Sequence, residues 1–287
     1  MHRHTLNGVL LSAPTEQSCS IGQPRKSTNR LQVYWFRRTM KAPFACTGIR
    51  SVECSGSSQF SDDTEGIAMI QGIAFDAYGT LYDVFSVEQR CEEEYPGSGE
   101  RISCMWRQKQ LEYSWLRTLM GRYVDFWHVT EDALRYTLSA LDLAPTPEKI
   151  ERIMASYLEL DMYPEVIEAL ELFGGRKKVI LTNGNPAMIE PLVARSELDE
   201  HLDACLSVDE VHLFKTRPEA YQLATSHMGI EREHVLFVSS NGWDVAGAKS
   251  FGFTVGWINR KGLPAEELGL QPDYVASNLL ELAQMVS

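Results

Sequence analysis

The sequence predicts an α/β fold, a parallel sheet flanked by helices with a helical segment inserted near its start, and three observations predict it. From Ile70 onward, short apolar runs alternate with stretches of helical periodicity. Between the first two candidate strands, about a hundred residues contain no comparable strand. The first strand ends on a carboxylate, Asp76, at the strand-to-loop position where α/β enzymes do chemistry.

The candidate strands run over 70–75, 178–182, 204–207, 234–239, 254–257 and a short 274–275. Segments around 98–122, 130–141 and 147–158 read as amphipathic helices, the second opened by Thr130-Glu131-Asp132, a capping residue followed by acids. Residues 84–161 are therefore expected to form an inserted helical cap domain, with 69–83 and 162–287 making the sheet domain. After the insertion, Pro164 opens a helix that Gly174-Gly175 ends beyond Phe173, and helix and strand then alternate to the end.

A chain of 287 residues, 44% apolar, is long enough for one sizeable α/β domain carrying a smaller insertion. Its formal charge of −12 is unevenly divided: residues 1–65 carry eight Lys/Arg against five Asp/Glu, leaving 19 against 34 in the remainder. A body near −15 argues against a nucleic-acid or anionic-membrane surface. No apolar stretch approaches the roughly 18 residues of a membrane span. The six cysteines, Cys19, Cys46, Cys54, Cys91, Cys104 and Cys205, form no CxxC pair and no zinc-like spacing with His, so the three in the body are expected to be free thiols. The seven histidines form no ligand pattern, and no GxSxG elbow is present.

Residues 1–68 are basic and acid-poor up to Arg50, rich in Ser, Thr and Arg, and without sustained apolar period, which predicts disorder. They read either as an organelle-targeting segment or as an extension upstream of Met69, which stands directly before the first strand. The second reading is preferred, and with it a cytoplasmic location.

Four segments stand in order along the body: Phe75-Asp76-Ala77-Tyr78-Gly79-Thr80-Leu81-Tyr82-Asp83, Leu181-Thr182-Asn183-Gly184, Lys215, and Val238-Ser239-Ser240-Asn241-Gly242-Trp243-Asp244. With the run Trp106-Arg107-Gln108-Lys109-Gln110-Leu111-Glu112-Tyr113, they resemble the loop motifs of the haloacid dehalogenase superfamily, and within it the (S)-2-haloacid dehalogenases. The resemblance covers the chain from about Ile70 to the end. It implies a Rossmann-like core with a helical cap and hydrolytic dehalogenation of short (S)-2-haloalkanoic acids to (R)-2-hydroxy acids and halide. It implies no cofactor, and a subunit that is often a homodimer, for which Leu119, Met120 and Tyr123 could supply a face.

The same resemblance assigns roles. Asp76 would be the nucleophile, a carboxylate that is anionic without a helper base and gives an ester that water can cleave. Two residues later, where many relatives carry a second acid to protonate a leaving group, stands Tyr78, which suggests a nucleophile used without a metal. A 2-haloacid brings its own carboxylate, and two anions ~5 Å apart at an effective dielectric of ~20 repel by about 3 kcal/mol, more than a hundredfold in binding. Lys215 would offset that charge and orient Asp76, with Thr80 in the same catalytic loop. Arg107, helped by Asn183, would receive the halide as it leaves. Thr182 and the backbone amides following Asp76, that of Ala77 first, would hold the substrate carboxylate. Tyr78, Gln108, Leu111, Phe126 and Trp243 would wall the pocket.

Asp244 would pair with Lys215 and, with Asn241, position the hydrolytic water, Ser239 and Tyr221 supporting them. One departure is the Thr216-Arg217-Pro218 that follows Lys215, where the subfamily has Pro directly after the Lys; it leaves open how firmly Lys215 is held. The last motif offers one acid rather than the two that a magnesium site prefers, so no metal is expected. The rivals are a magnesium-dependent small-molecule phosphatase of the same superfamily and a catalytically silent protein that binds small acids.

Overall fold

A computed structural model describes residues 69–287; the expectations for residues 1–68 lie outside the described residues. Six strands form one sheet in the order β5-β4-β1-β6-β7-β8. They are β1 (Gly72–Phe75), β4 (Lys177–Thr182), β5 (Ala204–Ser207), β6 (Val235–Ser239), β7 (Thr254–Ile258) and β8 (Tyr274–Ala276), and every pairing is parallel. Each expected strand is present, with ends shifted by two residues at most.

All side chains of β1 and β6 are buried. Since alternate residues of a strand point to opposite faces, both faces of the central sheet are covered. The covering helices are α5 (Val166–Leu172), α6 (Pro186–Arg195), α7 (Pro218–Met228), α8 (Gly242–Phe251) and α9 (Leu279–Val286). Parallel pairing brings the carboxyl ends of β1, β4 and β6 side by side, with β1 in the middle, so Asp76, Asn183 and Ser239 converge.

Between β1 and β4 lie α1 (Glu88–Glu94), α2 (Gly99–Met120), α3 (Phe126–Ala140) and α4 (Pro147–Ala155), followed by a 3-10 turn over Ser156–Leu158. Two short antiparallel strands, β2 (Tyr82–Asp83) and β3 (Asp161–Met162), close the base of this helical insertion. Neither these strands nor α1 is evident from the sequence pattern: α1 has no side-chain cap and buries only Cys91.

Helix α3 corrects the expected start at Thr130. It begins four residues earlier, where Asp125 is the N-cap and its Oδ1 accepts the His128 backbone N–H at 3.0 Å. The buried stripe Phe126, Val129, Thr130, Ala133 runs at helical spacing through the expected cap. Thr130 therefore lies inside the helix, its hydroxyl donating to the Phe126 carbonyl at 2.6 Å. Helix α5 likewise starts at Val166 rather than at Pro164.

Cys91, Cys104 and Cys205 are free thiols. Leu119 and Met120, at the end of α2, are 82% and 62% exposed. Tyr123 is not free as expected: its hydroxyl donates to Asp209 Oδ1 at 2.6 Å and its ring lies against His212 and Phe214. Among the described residues, no helix is long and apolar enough to cross a membrane.

Candidate active site

Asp76 follows β1 directly and is 4% exposed. The chain turns sharply after it: Gly79 has φ +90°, a conformation that a residue with a Cβ rarely adopts. This turn brings Thr80 back beneath the carboxylate, where its hydroxyl lies 3.1 Å from Asp76 Oδ2 while accepting the Ser240 backbone N–H at 2.8 Å. Neither the Ala77 nor the Tyr78 backbone N–H is used in a hydrogen bond among the described residues, so both remain to meet an anion.

Lys215 reaches Asp76 from the loop between β5 and α7. Its Nζ donates to Asp76 Oδ1 and to Asp244 Oδ2, each at 2.8 Å, and its side chain is wholly buried. Its backbone N–H donates to Asn183 Oδ1 at 3.0 Å, so the loop after β4 fixes the base of the lysine. The departure at Thr216 therefore leaves Lys215 firmly placed; the Lys215–Thr216 peptide is cis, and Pro218 instead opens α7. Burial opposes the ammonium charge, but Asp244 and Asp76 outweigh it and hold the lysine above its ordinary value.

The loop after β6 completes the carboxylate's surroundings. Asn241 Nδ2 donates to Asp76 Oδ2 at 2.8 Å and to the Tyr78 carbonyl at 3.0 Å, and Ser239 Oγ stands 3.4 Å from the same Oδ2. Asp244, in the first turn of α8, is fully buried and accepts the Tyr221 hydroxyl at 2.7 Å. Burial pushes its carboxyl up to about 6; Asp76 adds to the rise and Lys215 opposes it.

From the insertion, Arg107 on α2 closes the cluster. Its guanidinium donates to Asn241 Oδ1 at 3.3 Å and reaches the Tyr78 carbonyl at 3.5 Å. Tyr221, Asp244, Lys215, Asp76, Thr80, Ser239, Asn241 and Arg107 thus form one connected hydrogen-bonded network.

The expected pocket residues are less uniform. Tyr78 is buried between Phe126 and Tyr157, with ring centroids 6.0 and 6.1 Å away, and its hydroxyl has no partner. Gly184 lets the Tyr78 ring approach the loop after β4: a Cβ there would lie 2.8 Å from its Cε2 and hydroxyl oxygen. Phe126 backs this ring from behind and also touches Phe214. Thr182 is wholly buried, and its Oγ1 accepts the Gly184 N–H at 3.0 Å, which leaves its hydroxyl hydrogen to donate. Leu111 and Trp243 line a cleft of about 250 Å3 that Arg107 and Asn241 border on its inner side. Gln108 is a correction: it is exposed and absent from the cleft lining. One residue along a helix turns the side chain by about 100° from Arg107.

Sequence reasoning also misses what holds Arg107. Gln110, wholly buried, accepts Arg107 Nη1 on Oε1 at 2.7 Å and donates from Nε2 to Thr130 Oγ1, also at 2.7 Å. Because the Thr130 hydroxyl is spent on the Phe126 carbonyl, it must accept, and the guanidinium can only donate; the Gln110 amide therefore has one orientation. The available signal is a Gln in the buried stripe of α2 beside Ile102, Trp106 and Ser114. Gln110→Leu is expected to keep the fold and lower kcat by roughly 10- to 100-fold with a smaller change in KM, because Arg107 loses its anchor. Steady-state kinetics checks this; parallel losses in kcat and thermal stability would mark a purely structural role.

An ammonium rather than a third acid stands between these carboxylates. Lys215 Nζ already occupies the space between Asp76 and Asp244, and Asn241 stands where a second loop acid would be needed. Among the described residues, no group of three or more His, Cys, Asp or Glu side chains gathers as a metal site.

The chain is similar to known proteins over most of its described residues. Residues 70–252 match the family model of haloacid dehalogenase-like hydrolases. An (S)-2-haloacid dehalogenase of Pseudomonas putida is 48% identical over 216 residues, 75% of this chain and 95% of the relative. The structure of the L-2-haloacid dehalogenase from Xanthobacter autotrophicus is 43% identical, with a TM-score of 0.73 over 76% of this chain and 98% of that one. The same enzyme, solved with chloropropionic acid covalently bound, is 42% identical with a TM-score of 0.72, covering 76% of this chain and 98% of its own.

Proposed function

This chain belongs to the haloacid dehalogenase-like hydrolase family, and from that premise we propose that it hydrolyses the carbon–halogen bond of short (S)-2-haloalkanoic acids. The products are halide and the (R)-2-hydroxy acid. The observation that carries the reading is the buried Asp76 carboxylate, oriented by four donors, with a tyrosine rather than an acid two residues on and an arginine one hydrogen bond beyond. The covalent chloropropionate of the Xanthobacter relative supports an ester intermediate.

In this path the substrate carboxylate rests on the Ala77 and Tyr78 amides and Thr182. An Asp76 oxygen attacks the α-carbon opposite the halogen, inverting it, and the halide leaves with the bonding pair toward Arg107 and Asn183. Donors fixed where negative charge develops stabilise the transition state more than the ground state. Lys215 balances the charge of Asp76 while the anionic substrate binds. Water, positioned by Asn241, then adds to the ester carbonyl as Asp244 takes one of its protons; the bond between the carbonyl carbon and the product oxygen breaks, Asp244 passes its proton to the leaving alkoxide, and the remaining water proton is released to solvent as the Asp76 carboxylate re-forms. A single turnover in ¹⁸O-water should yield unlabelled 2-hydroxy acid and a labelled Asp76 carboxylate; label in the product would overturn the ester route. Halide release from the two enantiomers of 2-chloropropionate tests substrate class and stereochemistry together.

The Asp244 carboxyl sets a pH dependence. Its value of about 6 lies above the ordinary 3.8, so it is ionised above that pH and takes up a proton as the pH falls through it. Steady-state halide release should therefore decline below about pH 6 with a one-proton slope. The same shift makes the folded protein bind that proton more tightly than the unfolded chain does. Asp244's contribution to stability consequently improves as pH falls from about 6 toward 3.8, so protonation of this group does not itself favour unfolding. A pH–rate profile with circular dichroism at each pH checks both; a flat profile between pH 5 and 7 would remove Asp244 from the hydrolytic step.

A further inference from the structure

Asp76 is nearly sealed, and the cleft bordered by Arg107 and Asn241 is the cavity that adjoins its network. The charge of that cleft is unlike the rest of the molecule. Its lining includes three cations, Arg107, Arg260 and Lys261, and no carboxylate, although acids outnumber bases 34 to 19 beyond the first 65 residues. Glu165 pairs with Arg260 at 2.6 Å, which leaves Arg107 and Lys261 as the lining cations without an ion-pair partner among the described residues, and apolar walls such as Phe85 and Leu111 focus their field.

Two lining residues carry donors with nothing to bond. Arg260 Nε and Trp243 Nε1 are buried and have no hydrogen-bond partner. Buried donors are nearly always paired with protein, water or an ion. The remaining nitrogens of Arg260 are committed: Nη1 to Glu165 at 2.6 Å and Nη2 to the Thr80 carbonyl at 3.0 Å, with the guanidinium 3.6 Å from the Tyr163 ring centroid. Lys261 is exposed, makes no ion pair among the described residues, and holds its Nζ 3.9 Å from the Phe85 ring centroid. The outer part of the cleft thus offers an unneutralised ammonium, with Trp243 in its wall.

We propose that this outer cleft is an anion port, in which the exposed Lys261 ammonium, beside Trp243 in the cleft wall, holds the 2-haloalkanoate as it enters and the halide as it leaves. The proposal rests on the dehalogenase reading for its substrate. It assigns Lys261 a binding role outside the catalytic network, with Arg107 as the inner end of the same path.

The test compares wild type with Lys261→Gln and Lys261→Glu, using Arg232→Glu as a control for net charge. Arg232 stands in the turn before β6, at the opposite end of the sheet's strands from Asp76. At low ionic strength, kcat/KM for (S)-2-chloropropionate should fall roughly fivefold in Lys261→Glu and less in Lys261→Gln, and the curves should converge with wild type near 0.5 M salt, where screening is strong. A second reading needs no turnover: iodide should quench tryptophan fluorescence with a saturable component from Trp243 that weakens in both Lys261 variants and persists in Arg232→Glu. Equal kcat/KM at low salt together with identical quenching in all four proteins would overturn the port. A wild type that releases no halide from any 2-haloacid, yet shows Lys261-dependent saturable quenching, would sink the dehalogenase reading and leave an anion site standing.

Discussion

Asp76→Asn is expected to lower steady-state halide release by more than about a thousandfold while the chain stays folded. The amide removes the attacking anion but retains an oxygen able to accept from Thr80 and Asn241, so the turn after β1 keeps its contacts. Lys215 also keeps a counter-ion in Asp244. What disappears is the bond-forming group, and no second carboxylate stands at residue 78 to replace it. Halide release by ion chromatography, with thermal unfolding as the control for folding, checks the prediction. Residual turnover within tenfold of wild type would mean that water attacks the substrate directly.

Lys215→Met should be the most damaging change to the fold. The ammonium lies between two buried carboxylates, and removing one member of a buried ionic group leaves the others uncompensated, at a cost of about 3–5 kcal/mol. In the wild type the lysine is held above its ordinary 10.5, so its contribution is fully present at neutral pH and is lost only as pH rises through the raised value. In the variant the sign reverses: with the cation gone, the carboxylates bind protons more tightly in the folded state, and the penalty is relieved as pH falls. Urea unfolding of both proteins at pH 8 and pH 5 should show the stability gap narrowing at the lower pH. A gap independent of pH would indicate lost packing rather than unpaired charge.

Much of the site was legible because it stands at strand ends. Short apolar runs mark β1, β4 and β6, so Asp76, Asn183 and Ser239 could be placed at loop starts, and parallel pairing does the rest. The resemblance then supplied Arg107, which local pattern alone would leave as one charge on a helix surface. The buried chain from Gln110 through Thr130 to the Phe126 carbonyl was not legible. Its members look like ordinary helix polar residues until tertiary packing buries them and forces their donors and acceptors to match. Thr130-Glu131-Asp132 misled for the opposite reason: it has the composition of a cap, but the apolar stripe already begins at Phe126 and the burial of that stripe decides where the helix starts. Gln108 was placed in the pocket by the resemblance, whereas rotation along α2 carries it to solvent.

The network around Asp76 is assembled from two sources of unequal permanence. Its nucleophile, lysine and water-positioning residues hang from the loops after β1, β5 and β6 of one covered sheet, whereas Arg107 alone arrives from the inserted helices. Evolution could therefore revise the leaving group without rebuilding the reaction. Substitutions along α2 would retune which departing anion is accepted, while the sheet would preserve the acyl chemistry unchanged. A lineage exploring new substrates would be expected to accumulate its differences in the insertion first.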